Sequence, residues 1–186
     1  IQCAGGCFYN SWLSSYRQHG RGKPAALRAA FEPRTFSYIA GASLFIPAQV
    51  LEEGLKPPES LTPSENESRS QWLNETFFLY FEELDLAQRL APGLGLGWCR
   101  DALIIHIGGE GTETGGSQRS AQAEYHSTLS ALKYTRLYYP RRLWFMAPAR
   151  MVAKALQLLL TGNIRLLGSV ASAYRDFWRQ RRAAAS

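Results

Sequence analysis

The stretch FFLYFEELDLAQRL, residues 77–90, joins a run of aromatic residues to three carboxylates within four positions. Aromatic residues are typical of a protein core, whereas Glu82, Glu83 and Asp85 repel one another and are costly to bury unless each is paired or takes part in chemistry. The sequence therefore allows two interpretations. Either the acids lie on a solvated helix face, or at least one of them is held near a reaction centre.

The spacing of the apolar residues predicts a helix that begins at about Phe81. At about 3.6 residues per turn, Glu83 falls in the middle of an apolar stripe formed by Leu86, Ala87 and Leu90. Burial raises the pKa of a carboxylate toward the range useful to a general base, while the helix N-terminus offsets part of the desolvation. Glu83 is therefore a candidate functional residue, and a structural ion pair is the open alternative.

The other two acids fall on the opposite side of the predicted helix. Glu82, Asp85 and Arg89 share that side, and Asp85 and Arg89 are spaced as i,i+4 partners. This pattern predicts a solvated and partly paired polar face.

Strands mixed with helices are predicted on both sides of this helix. Aromatic, β-branched and apolar runs indicate buried strands, and Pro and Gly at the ends of a short segment indicate a helix. The predicted elements are a strand or loop over 1–12, a mobile surface loop over 17–34, a strand over 36–46 interrupted by Gly41, a helix over 48–53 between Pro47 and Gly54, loops over 56–70 and 108–116, and a strand over 98–107. From Ser120 onward the pattern is helical, with turns predicted near Pro140, Pro148 and Gly162.

The charge of the chain is unevenly distributed. Residues 127–186 hold eleven Lys and Arg but one acid, Asp176, whereas residues 1–126 hold ten Lys and Arg and fourteen acids. An anionic partner is therefore predicted for the helical tail. The three cysteines are an odd number, which argues against a disulfide framework and favours a reducing compartment.

The tail combines its arginines with Trp144, Phe145, Leu158–Leu160, Phe177 and Trp178. This composition suits a pair of interfacial helices on anionic lipid, or a helical cap with a solvated basic face. Binding to nucleic acid is the competing class, but the arginines are spread over several helices without a known nucleic-acid-binding signature, so no nucleic-acid partner is predicted.

At the level of motifs, FFLYFEELDLAQRL resembles a segment of bacterial family 2 glycosyltransferases, notably their rhamnosyltransferase-like members. FSYIAGASLFIPAQVLEEG and DALIIHIGGEGTETGG resemble the segments that precede and follow it. The resemblance covers most of residues 1–182 and is specific over 36–116. It implies an α/β fold, as part of a Rossmann-like A-type domain over 1–126, followed by a basic amphipathic helical tail over 127–186.

The resemblance also implies an activity, namely inverting transfer of a sugar from a nucleotide-diphosphate donor to an acceptor hydroxyl. Glu83 matches the position of the base, although the family more often has Asp there, and Asp85 is implied to orient or pair nearby. Gly41, Ala42 and Glu82 match substrate-binding positions beside the donor sugar and acceptor. His106 matches a position that completes a Mg or Mn site, and its alternative is a core histidine with satisfied hydrogen bonds.

The sequence departs from the family in one respect. It has three aspartates, and none forms the Asp-x-Asp metal motif. The chain is therefore expected to correspond to the carboxyl-terminal part of such an enzyme and to be inactive by itself. The implied setting is cell-envelope polysaccharide synthesis in the cytoplasm, with a saccharide or lipid-linked acceptor and peripheral contact with the inner face of the membrane. The alternative is a non-catalytic remnant that binds membrane or a protein partner through its tail.

Overall fold

The structure, a computed structural model, describes residues 1–31, 35–56, 72–106 and 120–183. The chain divides into two compact units. Unit 1 comprises Ile1–Asn10, Ser15–Thr76 and Glu82–His106, and unit 2 comprises Ser11–Ser14, Phe77–Phe81 and Ile107–Ser186. The predicted loop over 108–116 and most of the predicted loop over 56–70 lie outside the described residues. The division into residues 1–126 and 127–186 stays a prediction.

Unit 1 contains a small antiparallel sheet with strand order β2-β1-β3. β1 (Gly6–Asn10) and β2 (Ser15–Gln18) form a hairpin, and β3 (Tyr38–Ile39) pairs with the other edge of β1. A ring cluster around His19 packs beside the sheet, with Phe8, Phe31, Phe36 and Trp98 within about 6 Å of its centroid.

Two helices complete unit 1 in the described residues. α1 (Ala48–Glu53) begins after Pro47 and ends at Gly54, as predicted. α2 (Glu82–Arg89) begins within one residue of the predicted start and packs on β3. The ends of the two helices are joined because the Lys56 N–H donates to the Arg89 carbonyl over 2.8 Å, and the Ala91 N–H donates to the Gly54 carbonyl over 2.8 Å.

Unit 2 is built from three helices, α3 (Ala121–Tyr138), α4 (Leu143–Leu160) and α5 (Leu167–Ala183). Ser120 caps α3, since its side chain accepts a hydrogen bond from the Ala123 N–H over 3.0 Å. Short 3₁₀ turns over Pro140–Arg142 and Ile164–Leu166 connect the helices. Their core is a cluster of buried residues from all three helices and from the second 3₁₀ turn: Leu129, Leu132, Leu143, Met146, Ala147, Leu158, Leu166, Val170, Ala173, Tyr174 and Phe177.

The predictions for the helical region are mostly confirmed. The helix from Ser120, the turn near Pro140 and the turn at Gly162, which has a φ of 70°, are present. The turn near Pro148 was wrong, because Pro148 lies inside α4. Proline in the second turn of a helix removes one backbone hydrogen bond, and the rest of the helix continues beyond it.

The strand predictions are wrong over most of their length. The predicted strand over 36–46 is reduced to Tyr38–Ile39, because β1 begins at Gly6, opposite Ile39, and offers no further partner. Residues 98–106 form no strand, and Ile105 is 84% exposed. An apolar run indicates burial, but a strand also needs a neighbouring strand to accept its hydrogen bonds. The predicted loop over 17–34 begins inside β2 and contains a 3₁₀ helix, Ala25–Ala30.

The α/β class includes both strands and helices, and both are present in the described residues. The described sheet is antiparallel throughout, however, and the described residues contain no parallel strand pair of the kind that a Rossmann-like domain requires. The Rossmann-like part of the prediction therefore has no support in the part of the chain that the structure describes.

Candidate active site: a carboxylate in an apolar cavity

A cavity of about 340 Å³ lies in unit 1. Its walls come from β3, α1, α2 and the segments between them, and among the described residues that line it Glu83 is the only ionisable one. The other lining residues are Ile39, Leu44, Phe45, Ile46, Pro47, Val50, Leu55, Leu86, Ala87, Leu90, Leu94, Gly95, Leu96 and Gly97. The cavity is thus a mostly apolar cleft with one polar group, which is typical of small-molecule sites.

The helical phase of α2 positions Glu83 in this wall. Leu86, Ala87 and Leu90, which share the predicted apolar stripe with Glu83, also line the cavity. The prediction that Glu83 lies among these residues is therefore confirmed. Its catalytic role stays a prediction.

Gly41 holds the Glu83 carboxylate in place. A Cβ at residue 41 would lie 1.9 Å from Oε1 of Glu83, so only glycine lets the carboxylate approach this backbone closely. The backbone N–H groups of Gly41 and of Glu83 itself donate hydrogen bonds to the carboxylate. The structure thus brings together two of the predicted site residues.

The electrostatics of the site favour a basic carboxylate. Burial raises the pKa of Glu83 above its ordinary value, and the two backbone hydrogen bonds partly oppose this shift. Among the causes that act on the pKa of Glu83, only these two backbone groups favour the charged carboxylate. A carboxylate in this state is a stronger proton acceptor than a solvated one.

Two neighbours of Glu83 were not predicted from the sequence. Burial raises the pKa of the Tyr38 hydroxyl, and the charges of Cys7 and Glu83 add to that effect. The thiol of Cys3 donates a hydrogen bond to the Gly6 carbonyl over 3.1 Å, and its interaction with Cys7 lowers the pKa of Cys7 and raises that of Cys3. Only the pairing of β1 with β3, which aligns Cys7 with Tyr38, brings these groups to α2. No local sequence signal marks that proximity.

Asp85 is buried in a network of hydrogen bonds that stabilises the fold around α2. Its side chain is fully buried and accepts hydrogen bonds from Arg89 Nε over 2.7 Å and from Asn74 Nδ2 over 3.2 Å. Arg89 also donates to the backbone carbonyls of Lys56 and Trp72. The predicted i,i+4 pairing of Asp85 with Arg89 is therefore confirmed, whereas the prediction that this face is solvated was wrong for both residues, because packing around α2 buries them.

The remaining predicted substrate-binding residues lie outside the cavity wall. Ala42 is exposed on the turn after Gly41, and Glu82 is half-buried at the start of α2. Neither is among the residues that line the cavity. Their roles stay predictions from the resemblance.

His106 does not fit a metal site in the described part of the chain. It is exposed, and its Nδ1 lies 2.9 Å from Oε1 of Gln2. Among the described residues, no three His, Cys, Asp or Glu side chains are grouped as metal ligands. The divalent metal therefore stays an expectation from the resemblance, and no chemical step below depends on it.

No protein-family model, curated protein or solved structure matches this chain.

Proposed function

We propose that this chain provides the acceptor side of an inverting glycosyltransferase, with Glu83 as the general base. The observation that supports the proposal is the position of Glu83, which is the single ionisable group that the described residues place in the wall of an apolar cavity. The motif resemblance supplies the reaction class, and the raised pKa of Glu83 supplies the property that a base needs.

In the proposed reaction, the acceptor hydroxyl transfers its proton to a carboxylate oxygen of Glu83. The acceptor oxygen then forms a bond to the anomeric carbon of the donor sugar, and the bond between that carbon and the diphosphate breaks. The nucleoside diphosphate leaves with the electron pair of the broken bond. Attack from the face opposite the leaving group inverts the anomeric centre.

The chemistry of the cavity walls indicates which class of acceptor the cavity would bind. Leucine and isoleucine side chains offer no hydrogen bonds to sugar hydroxyls, whereas they stabilise an alkyl chain by about 25 cal/mol for each Å² of apolar area removed from water. We therefore favour the lipid-linked acceptor over the free saccharide. The nucleotide-sugar donor would bind elsewhere, and a non-catalytic protein remains the alternative.

Acceptor binding tests the proposal in the complete 186-residue chain. An alkyl glycoside, kept below its micelle concentration, is titrated into the protein by isothermal calorimetry. We expect it to bind the wild type and to bind Glu83→Gln more weakly. Glu53→Gln is the matched control, because Glu53 is exposed at the end of α1 and does not line the cavity. Absence of binding, or equal binding by Glu83→Gln, would contradict an acceptor site that contains Glu83.

Catalysis is tested in a protein that joins these residues to a donor-binding half. There, Glu83→Gln is expected to lower kcat by about 10²- to 10⁴-fold with little change in donor affinity, since a general base acts in the transition state. An unchanged kcat would favour the non-catalytic alternative.

A further inference from the structure

The helix α4 carries large apolar residues on its exposed side as well as in the core of unit 2. Along one side of the helix, large apolar side chains are exposed at the spacing of consecutive turns: Trp144, Phe145, Met151, Val152, Leu156 and Leu159. The exposed fractions run from 42% at Met151 to 69% at Trp144. A contiguous apolar face of this kind is unusual on a protein surface in water and marks a site of interaction.

The opposite side of α4 carries its cations, and they are buried. Lys154 pairs with the buried Glu124 of α3, with Nζ and Oε1 2.8 Å apart. Arg150 donates to the backbone carbonyls of Leu13 and Ser14. Over Arg150–Lys154, the usual arrangement of an amphipathic helix, with charges outside and apolar residues inside, is thus reversed, although the inner side of α4 also contributes apolar residues to the core.

The apolar face extends beyond α4 within unit 2. Trp12, in the turn Ser11–Ser14, is exposed and contacts Phe145 edge to face, with ring centroids 6.0 Å apart. Arg142 lies over the Trp12 ring, 4.6 Å from its centroid. Aromatic rings beside an arginine are typical of the boundary between lipid headgroups and acyl chains.

The positive charges around this face indicate which kind of partner it binds. Arg141 precedes α4 and Arg165 follows it, and both are exposed. Residues 127–186 hold eleven cations and one acid, so a second copy of this chain would bring like charges together. An anionic lipid surface offers instead both acyl chains for the apolar face and negative headgroups for the arginines.

Length and composition would allow α4 to cross a membrane. Pro140–Leu160 is long enough, and an 18-residue window within it has a mean hydropathy of 1.3. Its packing partners argue against a crossing, because α4 contacts both α3 and α5, which carry Lys133, Arg175 and Asp176. Carrying these charges into the hydrocarbon would be costly, whereas a helix parallel to the surface leaves them in water.

We propose that the outward face of α4, with Trp12, inserts into the headgroup and acyl boundary of an anionic lipid bilayer, with α4 parallel to the surface. This inference does not depend on Glu83 or on sugar transfer.

Vesicle flotation of the complete chain tests it. The protein is expected to float with vesicles of phosphatidylcholine mixed with phosphatidylglycerol, and to float less with phosphatidylcholine alone. Leu156→Glu is expected to lower the partition constant by about tenfold or more, because it removes a leucine that the bilayer would bury and adds a charge at the apolar boundary.

The matched control is Gln157→Glu, which adds the same charge at the adjacent exposed position, on the other side of the helix. It is expected to change the partition by no more than about fivefold, the reduction that one added charge near an anionic surface produces. Circular dichroism verifies folding, and Val152→Glu replaces Leu156→Glu if helicity is lost. No flotation, equal losses in both variants, or concentration-dependent self-association without lipid binding would each overturn the proposal.

Discussion

Helices α2 and α4 both have ionisable residues at positions where their patterns would favour apolar ones. They differ in where their apolar stripes face, which is the interior in α2 and the surface in α4. In α2, the stripe faces a cavity inside unit 1, and Glu83 lies in that cavity wall. In α4, the stripe faces outward, and Arg150 and Lys154 are buried beneath it. Helical phase identifies which residues share a face, whereas the neighbours of the helix decide which face is inside.

The largest effect is expected from the buried side of α2. Asp85→Asn leaves the Arg89 cation buried without its carboxylate, which is expected to lower the free energy of unfolding by about 3–5 kcal/mol. Urea denaturation followed by circular dichroism measures the change, with Glu53→Gln as the surface control. A loss below about 1 kcal/mol would mean that the carbonyls of Lys56 and Trp72 suffice for Arg89.

The corresponding pair in α4 is expected to contribute somewhat less. Lys154→Met leaves Glu124 buried and without its cation, and the expected loss is about 3 kcal/mol, at the lower end of the range, because Lys154 keeps a tenth of its side chain exposed. The double variant Glu124→Leu with Lys154→Met is expected to recover most of this stability. If the double variant does not recover stability, contacts of Glu124 and Lys154 other than their ion pair stabilise this part of the protein.

Gly41→Ala tests how Glu83 is held in the cavity. The added Cβ displaces the carboxylate, and the expected cost in the free energy of unfolding is about 1 kcal/mol, since a flexible side chain can move away. A double-mutant cycle with Glu83→Ala measures the coupling, because the clash disappears when the carboxylate is absent. Additive losses would show that Gly41 and Glu83 do not act together.

The pH dependence of Glu83→Gln is expected to be the smallest effect. Burial raises the folded-state pKa of Glu83 above its ordinary value of 4.5. The contribution of this carboxyl to stability is therefore complete below that value and is lost as pH rises through the folded-state pKa. Relative to the wild type, Glu83→Gln should gain stability across this window in urea titrations at a series of pH values. A constant difference would contradict a raised pKa.

Several features of the molecule could be predicted from local sequence. The start of α2 follows from its apolar spacing, the ends of α1 follow from Pro47 and Gly54, and the start of α3 follows from the Ser120 cap. The grouping of Glu83 with Leu86 and its stripe depends only on helical geometry. These features involve residues close in sequence, so neighbouring residues suffice to specify them.

Features that depend on distant residues could not be predicted in this way. Only tertiary packing buries Asp85 and Arg89, leaves Ile105 exposed and brings Tyr38 and Cys7 to Glu83. The sequence by itself determined where α1, α2 and α3 begin and which carboxylate is the candidate. The tertiary structure alone decided which face of each helix is inside, because burial depends on the elements that pack against a helix as well as on its own residues.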